Sequence, residues 1–154
     1  MRISARADYA LRACIELARV DDIASSSDAI AQAQGIPQQF VQRILGEMRH
    51  AGYVSSTRGG RGGYRLASPP EGLTVADVVR AMDGPLVRVH GLDPDELRYP
   101  ESTVDLAVVW TAVRACLETV LDGVTVHDLA TGRLPAPVSE LVPRPPRRLG
   151  EPAA

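Results

Sequence analysis

Apolar residues recur at three- and four-residue steps along several stretches of the chain, and polar, glycine- or proline-bearing breaks separate them. In the first stretch Leu11, Cys14, Ile15 and Ala18 share one helical face behind Ser4, whose hydroxyl suits an N-cap; the pattern predicts a core-facing helix to about Val20. Asp21 and Asp22 interrupt it. The polar run Ser25-Ser26-Ser27 prepares a second start, with Ser27 or Asp28 as the cap of a short helix over 29–34. Gly35 can take the left-handed conformation that ends a helix, and Pro37 pre-sets the dihedral favoured in the first turn of the next. In that third helix Val41, Ile44, Leu45 and Met48 form the apolar stripe and Phe40 extends it. Two helices joined by so tight a corner make a helix-turn-helix.

Beyond the corner the period changes from helical to extended. Ala51-Gly52 stops the helix, residues 53–57 read as a strand, and 64–67 return across glycines at 59, 60, 62 and 63, so the segment predicts a β-hairpin wing. Farther on, Ser102 followed three residues later by Asp105 resembles a capping box. Behind it Leu106, Val109, Trp110, Val113, Cys116, Leu117, Val120 and Leu121 run along a helix that Asp122-Gly123 ends. A helix of roughly 20 residues spans about 30 Å, and so wide an apolar face is too large for a small module to cover. It predicts pairing with its own copy across a two-fold axis, through Leu106, Val109, Trp110, Val113, Leu117 and Val120; the alternative is that it folds back on its own domain.

The fold class is therefore mainly α with a small β-hairpin wing: a winged helix-turn-helix with a long C-terminal dimerisation helix. Residues 1–85 form the DNA-binding domain, 86–101 a loop, 102–132 the dimerisation helix with a short helix over 125–130, and 133–154 a tail rich in Pro and Arg. Six of the twelve prolines fall in that tail, which is expected to sustain neither helix nor sheet, to dock at most locally through its VSELV segment, and to be largely disordered beyond Val142.

Composition narrows the function. Of 154 residues, 45% are hydrophobic but only 4% aromatic, which suits a core of packed aliphatic helices. No run approaches the roughly 18 apolar residues of a membrane span, and the opening lacks the apolar stretch of a signal peptide, so a cytoplasmic protein is expected. Cys14 and Cys116 lie in separate apolar helical contexts, neither a disulfide framework nor zinc spacing, and are expected to be buried free thiols. Charge is unevenly spread. Residues 1–67 hold nine arginines against six acids, residues 68–132 four against eleven, and residues 133–154 four against two. The basic excess lies where the wing would meet phosphates, although a chain whose cations are all arginine must be enriched in them everywhere.

The chemistry follows from placement. Gln38, Gln39, Gln42 and Arg43 lie off the apolar stripe near the start of the third helix, the part that enters a major groove. Gln matches the paired donor and acceptor of adenine and Arg forks onto guanine, so these four are the candidate base readers. Polar residues also line the solvated face of any amphipathic helix; the neighbouring wing is what favours reading. Arg58 and Arg61 at the hairpin tip would reach the sugar-phosphate backbone or the adjacent minor groove, where glycines let amides approach closely. Arg144, Arg147 and Arg148 could add salt-sensitive attraction. No GK[ST] completes a phosphate loop, and no Ser, His and Asp spacing orients a nucleophile, so an enzyme is not expected. His50 and His127 are expected at the surface, and no catalytic or metal residue is assigned.

The opening MRISARADYALRA, the GIPQQFVQRIL turn and helix, and GYVSSTRGGRGGYRLA followed by LTVADVVRAMDGP resemble the Rrf-type winged helix-turn-helix regulators. That group contains the bacterial iron–sulfur cluster regulator, the nitric-oxide-sensitive repressor and the cysteine-metabolism repressor. The resemblance covers Met1 to about Pro85. It implies a bacterial transcription factor, a homodimeric repressor on a palindromic double-stranded operator, with base reading from Gln38, Gln39, Gln42 and Arg43 and the wing arginine Arg58 at the minor groove. Relatives that carry an iron–sulfur cluster place three cysteines between the helix ending near Met82 and the long helix, where this chain has GPLVRVHGLDPDELRYPES and no cysteine. A three-cysteine cluster cannot be built from two cysteines, so no cofactor is assigned. His90, Asp93, Asp95, Glu96 and Cys116 stay open as a mixed-ligand set across a dimer, against the simpler reading of an acidic solvated loop. The alternative function is a protein-interaction module that docks a metabolic enzyme or another protein through the acidic middle segment, with DNA binding reduced or co-controlled. Either could answer to an unknown small-molecule effector.

Overall fold

The computed structural model of the chain describes residues 3–20, 23–59 and 62–142. The Asp21-Asp22 break, Arg61 and the segment beyond Val142, with its three arginines and expected disorder, lie outside the described residues.

Helix α1 (Ala5–Arg19) starts at Ser4, whose Oγ accepts from the Ala7 amide at 3.1 Å. Its buried face is Ala7, Ala10, Ala13, Cys14 and Leu17, while Leu11, Ile15 and Ala18 are only partly buried. The face expected from the large residues is thus rotated. The alanines belong at the centre because three helices crowd α1 there, and only small side chains allow that approach. Helix α2 (Ser27–Gln34) is capped by Ser26, not by Ser27 or Asp28. Its neighbour Ser25 exchanges two 2.8 Å backbone bonds with Tyr64.

Gly35 (φ 60°) closes α2 in the left-handed region, and Pro37 is the N-cap of α3 (Gln38–His50). Val41, Ile44, Leu45 and Met48 are buried as the stripe predicts. Phe40 does not extend that stripe: it is 47% exposed and meets Tyr9 of α1 edge-on at 6.5 Å between ring centroids. Strands β1 (Val54–Thr57) and β2 (Gly63–Leu66) pair antiparallel with Val54 opposite Leu66 and Thr57 opposite Gly63. A Cβ at Gly63 would stand 2.7 Å from the Ser25 carbonyl oxygen, so the bridge between Ser25 and Tyr64 requires glycine there.

Helix α4 (Val75–Asp83) and α6 (Val126–Thr131) begin side by side. Thr74 with Asp77 and Thr125 with Asp128 form two capping boxes, joined by backbone bonds from Val75 to Val124 and from Val126 to Leu73. Val126 is fully buried, so α6 completes the core around α1. The Asp83 carboxylate accepts from the Ser4 amide at 2.8 Å and hydroxyl at 2.5 Å, fastening the end of α4 to the start of α1.

Helix α5 (Asp105–Asp122) starts after a 3-10 turn, Glu101–Thr103, without a side-chain cap, so Ser102 and Asp105 form no capping box. It lies on α4 and on the turn Pro94–Glu96. The acidic loop is not merely solvated. Leu86, Val87, Pro94 and Leu97 are buried, and Asp93 and Glu96 cap one another around the turn. A further helix, α7 (Ala136–Leu141), occupies part of the stretch expected to sustain none; Pro135 and Pro137 sit at its start, where a missing amide costs nothing. Cys116 is exposed, correcting the expectation that both thiols are buried, because its face of α5 is uncovered within the protomer.

Candidate nucleic-acid interface

The corner that presents α3 is held from below. Arg12 of α1 donates its Nε to Gln34 Oε1 at 2.9 Å and also bonds the Gln34 carbonyl, while Gln34 Nε2 reaches Glu16 at 2.6 Å. Its guanidinium also lies over the Tyr9 ring, 5.5 Å from the centroid. These contacts fix the C-terminal end of α2 to α1, and buried Ile36 plugs the turn between α2 and α3. Helix α3 therefore leaves the body at a set angle.

Gln38, Gln39, Gln42 and Arg43 are all exposed on α3. Gln38 is hydrogen-bonded to Asp28 of α2, which places its amide between the two helices. Gln39 and Gln42 are left without a side-chain partner among the described residues, so their amides are available to a base edge. Arg43 donates Nε to Glu47 Oε1 at 3.0 Å.

The wing stands beside this helix. Arg49 donates Nη1 to Ser56 Oγ of β1 at 3.2 Å and so ties the recognition helix to the wing strand. Arg58 is exposed just beyond β1, next to Gly59 at φ 118°, a conformation that only glycine takes without strain. Arg65 lies on β2 opposite Ser55. The sequence reading missed three contributors: Ser25, which is bridged by its backbone to Tyr64 of the wing, Arg49, and Glu47. Arg49 lay off the apolar stripe like the chosen readers, and only its distance from the helix start hid it.

Farther from this face, α5 buries none of its residues fully. Leu106, Val109 and Val113 are 41%, 50% and 41% exposed. Val120 is partly covered, Leu117 packs against the protomer's own core, and Trp110 donates Nε1 to the Tyr99 hydroxyl at 3.1 Å. The stripe thus divides into an inward edge and an open face. Two arginines hold α5 in place. Arg80 of α4 forks onto Asp122 at 2.7 and 2.9 Å, which raises the guanidinium pKa and lowers that of the carboxyl; Arg114 bonds Asp93 at 2.5 Å and Asp95 at 2.8 Å.

Comparison with known proteins bears on both faces. A family model described as Rrf2, iron-dependent transcriptional regulator, matches residues 3–132. The Mycobacterium tuberculosis protein Rv1287, described as a candidate HTH-type transcriptional regulator, is 43% identical over 142 residues, covering 92% of this chain and 88% of its own. The HTH-type transcriptional regulator CymR of Bacillus subtilis is 33% identical over 132 residues, covering 85% of this chain and 91% of its own. The solved structure of CymR, titled the global cysteine regulator of B. subtilis, superposes with a TM-score of 0.73 at 32% identity, covering 86% of this chain and 98% of that one. The structure of T. potens IscR gives 0.69 at 28% identity, covering 86% and 88%.

Within one protomer the loop offers no matching donor set for the iron named for the family. Asp93 and Asp95 are committed to Arg114, Glu96 caps the Asp93 amide, and no group of three His, Cys, Asp or Glu side chains converges among the described residues. A guanidinium standing among the loop carboxylates is the wrong neighbour for a metal cation. With its helix-turn-helix, its paired hairpin and a family match from residue 3 to residue 132, the chain belongs to the Rrf2 family of winged helix-turn-helix, DNA-binding transcriptional regulators.

Proposed function

We propose that the chain acts as a homodimer, paired through α5, that represses transcription by occupying a palindromic operator in the bacterial cytoplasm. The observation that carries the reading is the pairing of two open faces on one rigid protomer. One is α3 with its exposed Gln and Arg residues beside an arginine-bearing wing; the other is the uncovered apolar side of α5. Gln38, Gln39, Gln42 and Arg43 read base edges in the major groove, and Arg58 and Arg61 contact the backbone or adjacent minor groove. A two-fold axis through α5, at Leu106, Val109 and Val113, sets two such heads on half-sites about 34–36 Å apart. Trp110 and Leu117 support that face from behind, and Val120 lies at its edge. Repression follows from steric exclusion of polymerase.

The test is selection of genomic fragments, including the region upstream of its own gene, by the full chain in a salt-titrated binding assay, with sedimentation on the same sample. A dimer that selects a fragment with inverted symmetry supports the reading. A monomer, or a protein that binds all fragments alike, refutes it and leaves the protein-interaction alternative. An anaerobic absorbance spectrum with iron analysis checks the cofactor: a stoichiometric iron chromophore would contradict the donor argument.

A further inference from the structure

We infer that Glu47 is a positioning residue for Arg43, fixing how that arginine meets a guanine; the inference rests on the assignment of Arg43 as a base reader. A chain of charged groups runs through the protomer to this point. Asp83 at the end of α4 holds Ser4 at the start of α1, and its Oδ1 lies 3.9 Å from Arg6 Nη2. Arg6 Nη1 lies 3.4 Å from Glu47 Oε2, and the other oxygen of Glu47 accepts from Arg43 Nε at 3.0 Å. Side-chain exposure is 16% at Asp83, 43% at Arg6, 30% at Glu47 and 72% at Arg43. Arg43 is the member that projects farthest into solvent.

The geometry leaves a defined part of Arg43 free. With Nε engaged, Nη1 and Nη2 are the donors that remain, and they have no side-chain partner among the described residues. Those two nitrogens form the end-on fork that matches O6 and N7 of guanine. An unheld arginine side chain carries much rotamer freedom that binding must remove. Glu47 removes part of it before DNA arrives, since it is itself held from α1 and cannot follow Arg43 in every direction. Its carboxylate also adds negative charge near the phosphate-facing surface. Glu47 therefore favours the right base while weakening attraction to DNA in general, and these effects have opposite signs.

That opposition gives a test that a purely structural role does not pass. The full chain and its Arg43→Ala, Glu47→Ala and Glu47→Gln variants are each used to select from a randomised double-stranded DNA library, and affinity for non-specific duplex is measured alongside. Arg43→Ala is expected to abolish a guanine preference at one position per half-site. Glu47→Ala should reduce the preference at that same position about fivefold, a fraction of what one bidentate contact discriminates, while non-specific affinity rises. Glu47→Gln, whose amide oxygen still accepts from Nε, should keep most of the preference. An unchanged or sharpened preference in Glu47→Ala overturns the inference, the sharpened case showing that the carboxylate competes with the base. If Arg43→Ala alters no position, the base-reading assignment itself falls, and Glu47 has nothing to position.

Discussion

Placing a charge at the centre of the open face of α5 should separate the protomers and, with them, the two DNA-reading heads. Val113 is the site of choice because it is 41% exposed in the protomer and lies between Val109 and Cys116 on the uncovered side. Burying a whole Val or Leu side chain stabilises by about 1.5–3 kcal/mol, so covering the exposed part of each valine contributes about 1 kcal/mol. A two-fold interface contains the residue twice, so Val113→Asp forfeits about 2 kcal/mol of apolar burial. It also buries two carboxylates with no cation on that face, a further cost of about 2–4 kcal/mol in total after they shift toward the neutral form. The sum of about 5 kcal/mol weakens self-association by roughly 10³–10⁴-fold. Sedimentation velocity across a concentration series reads this directly, and far-ultraviolet circular dichroism checks that the winged domain stays folded. DNA binding should lose its steepness and most of its affinity, since the second half-site no longer adds to the first. A Val113→Asp variant that remains dimeric at low micromolar concentration refutes the assignment of this face.

Other consequences can be checked on the same proteins. Arg58→Ala should weaken binding to all sequences alike and flatten the dependence of log K on log salt by about one unit for each phosphate left unneutralised, read by titration between low and physiological salt. Gly63→Ala drives a Cβ to within 2.7 Å of the Ser25 carbonyl oxygen, so it should break the bridge between Ser25 and Tyr64 and lower stability by about 1–3 kcal/mol in urea denaturation. Cys14, whose thiol burial pushes up to about 12, should stay inert to a thiol reagent until the protein unfolds. Cys116 should be protected in the dimer and become reactive in Val113→Asp. The Asp122 carboxyl is held below its ordinary value by its bonds to Arg80, so its contribution is present above the ordinary carboxylate range and is lost as pH falls through the lowered value. Thermal midpoints between pH 6 and pH 3 should therefore fall more in the wild type than in Asp122→Asn; equal slopes would mean that the pair adds no stability.

The helix-turn-helix was legible because its signals are local. Gly35, Pro37 and the 41-44-45-48 spacing each act within one or two turns, and the exposed face of α3 follows from that spacing alone. What escaped depends on partners distant in sequence. The buried face of α1 is turned from Leu11, Ile15 and Ala18 toward the alanines because α3, α4 and α6 all converge on it, and no pattern within α1 records how close they come. Ser25 reads as part of a cap until Tyr64 is brought beside it, and the glycine that permits the approach, Gly63, reads as one more hairpin glycine. The same limit applies to α5. Its eight apolar positions were one stripe in the sequence, and only the placement of α4 and the Pro94 turn divides Leu117, packed inward, from Val109 and Val113, which face out.

That division bears on how the proposed dimer, in a chain without the three loop cysteines, would keep its two heads in register. The pose of α5 against the winged body would then set the distance between recognition helices, because pairing at the two-fold axis would act through it. Here ion pairs and packing hold that pose. Arg114 draws the loop acids Asp93 and Asp95 onto α5 near its middle, and Arg80 clamps its end to α4 through Asp122. Helix α4 in turn is fastened by Asp83 to Ser4 at the start of α1, whose Arg12 holds the helix-turn-helix corner through Gln34. Each link is a directed side-chain contact from one element to the next. The loop in which the resemblance places cluster cysteines in some relatives is packed against α5 in this chain, with Arg114 bonded to its Asp93 and Asp95.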